Sequence, residues 1–122
     1  MVLFMFGILN SETLIATEIE NAIQKERCED IFDAVLKGNL SEVKRFVEEE
    51  NVDVNSVNSI SDEFPLYIAS REGYLEIVEF LCEHGAKPEI EDSYLLPPFW
   101  VANSYNHIEI AAYLYHRFYS GD

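Results

Sequence analysis

The chain has 122 residues, with 23 Asp plus Glu against 8 Lys plus Arg and a formal net charge of −15. That balance repels phosphate, which argues against DNA, RNA and anionic membrane surfaces and is compatible with a basic protein partner. With 48% hydrophobic and 13% aromatic residues, the chain has the composition to build one core, and a single domain fits its length.

The apolar segment 1–9, MVLFMFGIL, opens the chain. It is too short to span a bilayer and lacks the basic flank of a secretory signal, so it reads as a cap packed over the neighbouring helices. Residues 11–26 read as a helix: Ser11 is placed to cap it, Glu12 lies in its first turn, and Ile15, Ile19, Ala22 and Ile23 share one face. Segment 1–27 is therefore expected to cap residues 28–122. Cys28 and Cys82 fall a repeat apart, and Cys82 reads as a small buried hydrophobe. Together they suggest a reducing compartment, the cytoplasm or the nucleus rather than a secreted location.

From residue 28 the chain repeats itself. A shift of 35 residues and then of 33 superimposes Ala34, Ala69 and Ala102, puts Gly38, Gly73 and Asn106 in one slot, and aligns Val43, Val78 and Ala111 as well as Phe46, Leu81 and Leu114. A period in the low thirties marks stacked units that cannot bury an apolar face alone. Each unit reads as two short antiparallel helices, over about 28–58, 59–91 and 92–122. Pro65 suits a first helical position, and Gly73 suits the left-handed residue that ends a helix, with Asn106 the next best choice there. The shared alanines mark a slot where a large side chain would force neighbouring helices apart. The link from Val47 to Pro65 is two residues longer than that from Cys82 to Pro98, so a protruding loop is expected around 58–62.

The segment 73–86, GYLEIVEFLCEHGA, resembles the G-H-L-E-I-V-x-x-L-L-x-x-G-A core of the ankyrin repeat. Phe64-Pro65-Leu66-Tyr67 is similar to its T-P-L-H opening, and Asn51-Val-Asp-Val-Asn55 to its G-A-D-V-N. The match covers about 28–118, with the third repeat degenerate. The fold this implies is all-α: an ankyrin-repeat solenoid of helix-turn-helix units with an N-terminal capping helix. Phe64 and Tyr67, then Pro97 and Trp100, replace the Thr and His that tie the family's turn together. A lost Thr cap costs about 1 kcal/mol unless aromatic packing compensates.

No catalytic or metal signature stands out. Cys82-Glu83-His84 sets its Cys and His two apart on a helix, where they face different ways, and the Asp53–Asn58 stretch lacks the glycine and final carboxylate of a calcium loop. A non-enzymatic module without cofactor or metal is expected, binding another protein and otherwise monomeric. The resemblance implies a concave binding surface of hairpin tips and first-helix residues. Here those slots hold Lys37; Ile60, Ser61, Glu63, Arg71 and Glu72; and Ser93, Tyr94, Leu96, Ser104 and Tyr105. Tyr and Ile beside Arg is the composition of an interface centre. The alternative is a small acidic inhibitor or immunity-type protein that neutralises a basic effector such as a nuclease. Its face would be the Glu76, Glu79 and Glu83 stripe on the opposite, convex side, which reads equally as a solvated surface.

Overall fold

The computed structural model describes Ile15, Ala16, Glu18, Ile19 and residues 27–91 and 93–121. Among residues 27–91 and 93–121, six α-helices form three pairs: α1 (Ile31–Leu36) with α2 (Leu40–Lys44), α3 (Pro65–Glu72) with α4 (Leu75–Glu83), and α5 (Pro98–Ser104) with α6 (Ile108–Leu114). A π-helical turn extends α2 over Arg45–Glu49, and another extends α6 over Tyr115–Tyr119. No strand occurs among the described residues. Of the capping helix expected over 11–26, the four described residues are helical, with Ile15 and Ile19 half exposed. The rest of it, and segment 1–9, lie outside the described residues.

The first helices start in two ways. In repeat one, Asp30 is an N-cap: its side chain accepts from the Asp33 amide at 2.8 Å, while Asp33 accepts from the Glu29 amide at 3.0 Å. In repeats two and three, Pro65 and Pro98 fill the same slot as first helical residues, where the missing N–H leaves nothing unpaired. No side chain caps α3. Instead Phe64, in the family's Thr position, is 2% exposed, and its ring centroid lies 5.8 Å from that of Tyr67. Aromatic packing has taken over from the cap.

Helices from successive repeats pack side by side, α1 against α3 and α3 against α5, with the second helices behind them. Ala34, Ala69 and Ala102 are fully buried, as their shared slot requires, amid Val35, Val43, Leu66, Val78, Leu81 and Leu114. The Gly38, Gly73 and Asn106 slot is left-handed in all three repeats, with φ of +68°, +88° and +64°.

The next slot along, Asn39, Tyr74 and His107, joins the repeats. Asn39 caps its own helix through the Glu42 amide. Tyr74 and His107 reach back instead. Each lays its ring over the glycine of the preceding repeat, Tyr74 over Gly38 and His107 over Gly73. The Tyr74 hydroxyl lies 3.4 Å from the Leu36 carbonyl oxygen, and His107 Nε2 lies 2.9 Å from that of Arg71. On the loop side, Asn55 spans two repeats: its Nδ2 donates to the Gly85 carbonyl at 3.1 Å and its Oδ1 accepts from the Lys87 amide at 2.9 Å.

Candidate protein-binding surface

The loop expected to protrude at 58–62 is a closed turn. The Asn58 amide donates to the Glu63 carbonyl, and the Asn58 carbonyl accepts from the Asp62 amide, each at 2.8 Å. The Asn58 side chain accepts from the Ile60 and Ser61 amides, at 2.8 and 3.2 Å. A turn whose amides are held this way is rigid without any side chain at its tip. Ile60 therefore stands 95% exposed beside exposed Ser61. The next tip is fastened to this one: Asp62 Oδ2 accepts from the Tyr94 amide at 3.0 Å, and Ser93 Oγ donates to the Asp62 carbonyl at 3.3 Å. That leaves the Tyr94 ring 97% exposed and Leu96 more than half exposed.

Behind the tips, Arg71 on α3 is mostly covered. Its guanidinium pairs with Glu63 across the turn and with Glu72 at 2.9 Å, and it lies 5.6 Å from the Tyr67 ring centroid. The structure thus joins Glu63, Arg71 and Glu72 into one ion-paired patch. Ser104 and Tyr105 end α5 and are both exposed. Lys37, at the end of α1, is exposed and pairs with Asp33 at 3.2 Å. On α4, Glu76 and Glu83 are exposed and Glu79 is half-buried.

No group of three or more His, Cys, Asp or Glu is placed to hold a metal among the described residues. Nor is any helix there long and apolar enough to cross a membrane. Cys82 is 1% exposed, and burial pushes its thiol up to about 11, so it is a protonated core residue at neutral pH rather than a nucleophile. Sequence reasoning gave no binding role to Trp100, Tyr115 or Tyr119, which are all exposed near the end of the third repeat. Their signal was available: in the same slots repeat two carries Tyr67, Cys82 and Ala86.

A family model of three ankyrin-repeat copies matches residues 31–121. The chain belongs to the ankyrin-repeat family. Ankyrin repeats are protein–protein interaction modules, and that is the class of function the fold supports. Similar proteins include an ankyrin repeat protein of Fowlpox virus (strain NVSL), 39% identical over 46% of this chain and 13% of its own length. The palmitoyltransferase AKR1 of Lachancea kluyveri is 38% identical over 56% of this chain and 9% of its own. The sex-determining protein fem-1 of Caenorhabditis elegans is 34% identical over 57% of this chain and 13% of its own. The ankyrin chain thus spans about a tenth of the length of these curated relatives, and its match to the palmitoyltransferase runs through ankyrin repeats alone.

Proposed function

We propose that this ankyrin chain is a non-enzymatic module that holds a protein partner on its concave surface. The observation that carries the proposal is the pair of large side chains on consecutive tips, Ile60 at 95% and Tyr94 at 97% exposed, on turns held rigid by their own hydrogen bonds. Preformed tips lose little entropy when they bind, and Tyr contributes large contact area with few rotatable bonds. Around them, Ser61, Ser93 and Leu96 complete the rim. Glu63, Arg71 and Glu72 form a charged floor that selects a complementary partner. Lys37, Ser104 and Tyr105 extend the surface along the first helices. Two cysteines set a repeat apart suit a reducing compartment, and the cytoplasm is where we place this activity.

A pull-down from the native source, read by mass spectrometry, identifies the partner, and an alanine scan then tests the surface. Tyr94→Ala and Tyr105→Ala are each expected to weaken binding by about 2 kcal/mol, roughly thirtyfold. A second reading, an acidic inhibitor of a basic effector, draws on the exposed Glu76 and Glu83 and on the exposed run Glu48, Glu49 and Glu50. It expects an association rate that falls steeply with salt and depends on those glutamates. Normal binding by both tyrosine variants, with losses in the Glu76, Glu79 and Glu83 variants, transfers the site to the convex face and overturns the concave assignment.

A further inference from the structure

The bases of the concave surface are spent within the chain, and its acids are not. Lys37 is paired with Asp33 at 3.2 Å, and Arg71 with both Glu63 and Glu72. The Arg71 side chain is 19% exposed, against 24% for Glu63 and 34% for Glu72, so the carboxylates are more open than the cation between them. Arg71 engages Oε2 of each carboxylate, and Oε1 of each accepts no hydrogen bond among the described residues. Asp62, at the joint between the two tips, is a third carboxylate. The third-repeat slots Ser93, Tyr94, Leu96, Ser104 and Tyr105 carry no charge. The surface is therefore acidic in repeat two and neutral and aromatic in repeat three, with the exposed Ile60 and Tyr94 on adjoining tips beside the acids.

We propose that the segment held on this surface is basic and apolar in close succession: an arginine or lysine of the partner lies on the Glu63 and Glu72 carboxylates, and a large apolar side chain next to it packs against Ile60, Tyr94 and Leu96. This rests on the concave reading above and names the chemistry of its partner. Charge complementarity selects it. An anionic segment would have to break the Lys37 and Arg71 pairs to find a cation, and would meet open carboxylates on the way. A purely apolar segment would cover Glu63 and Glu72 and leave their second oxygens buried without a donor, which is the costly way to desolvate a charge. A guanidinium answers both demands, because its fork donates to carboxylate oxygens while its face stacks on an aromatic ring. Arg71 already shows that arrangement here, holding two carboxylates 5.6 Å from the Tyr67 ring centroid. The open Tyr94 ring offers the partner's cation the same second contact. Arg71 is then the internal counter-ion that holds the acids in place for an incoming base.

The probe is a displayed library of random peptides, panned against the full chain. Clones that also bind an Ile60→Ser, Tyr94→Ala double variant are discarded, since that chain has the same net charge and retains whatever binds by charge alone. The surviving clones are expected to carry Arg or Lys beside a large aliphatic or aromatic residue. In anisotropy titrations of a labelled synthetic copy, Glu63→Gln and Glu72→Gln should each weaken binding about tenfold with far-UV circular dichroism unchanged, since a hydrogen bond to a charged group is worth about that much. Gln keeps an oxygen for Arg71, so the site stays assembled. Replacing the peptide's arginine with uncharged citrulline should lose as much. Glu109→Gln makes the same one-unit change at an exposed position on α6 and should leave binding unchanged. Surviving clones that lack a base overturn the inference and leave the concave surface standing. So does equal binding by the Glu63 and Glu72 variants, or a loss with Glu109→Gln as large as theirs. A panning in which no clone depends on Ile60 and Tyr94 overturns the concave reading itself, and this inference with it.

Discussion

Gly73 is where two constraints coincide, and Gly73→Ala separates them. Its φ of +88° lies in the region that L side chains avoid, at about 1–2 kcal/mol for a single residue. A β-carbon there would also stand 2.6 Å from His107 Cε1 and 2.8 Å from Nδ1, closer than real contacts allow. The ring cannot retreat and keep its 2.9 Å contact with the Arg71 carbonyl, so that hydrogen bond, worth about 1 kcal/mol, is lost too. The expected loss is about 2–3 kcal/mol, a fall in Tm of roughly 8–15 °C for a domain of this size. Gly85→Ala is the control: its φ is +92°, with no atom within 4 Å of the added carbon, so only the backbone strain applies. In a double-mutant cycle, His107→Ala should recover about 1 kcal/mol of the Gly73→Ala loss. Thermal melts or urea titrations of the five proteins read this directly. If Gly73→Ala costs no more than Gly85→Ala, or costs the same with His107 removed, the ring does not clamp the repeats and the reasoning fails.

Three further outcomes are expected. Ala69→Leu should overpack the space between α1, α3 and α5 and lose about 1–3 kcal/mol by chemical denaturation; unchanged stability would displace the repeat register. Phe64→Thr restores the family's capping residue, yet it should destabilise by about 2–4 kcal/mol, because removing a buried Phe costs about 3–5 and a cap returns only about 1; a gain in stability would show that packing had not replaced the cap. Arg45, and then the Cys28 amide, hydrogen-bond the Glu42 carboxylate and hold it down from 4.5 to about 2. Because the folded value is the lower one, its stabilisation is present above about pH 4.5 and is lost as the pH falls toward 2. Glu42→Gln should therefore be less stable than the parent at pH 7, by up to about 1 kcal/mol for a partly covered surface pair, and the gap should close in urea titrations carried toward pH 2.

The alanine slot and the Gly38, Gly73 and Asn106 slot were legible because each is a demand on size or backbone sign that few residues meet. Phe64 was only half legible. Sequence shows that the Thr is missing, but burial of the replacing ring is a tertiary fact. The resemblance puts Arg71 on an open binding surface, yet Glu63 pairs with it from eight residues away across a turn, a spacing no helical rule flags. Nor could spacing reveal that Tyr74 and His107 bond to carbonyls, since their acceptors belong to the preceding repeat's main chain.

The bonds between repeats also bear on how such a chain can change. Asn55, Asp62, Tyr74, His107 and Arg117 each reach a main-chain atom of the adjacent repeat, and main-chain atoms are the same whatever residue bears them. A repeat is therefore joined to its neighbour by shape and not by identity. Tips such as Ile60 and Tyr94 can drift through many sequences while the joints beneath stay compatible. The third repeat, distant from the family pattern yet docked by the same joints, is what that tolerance produces.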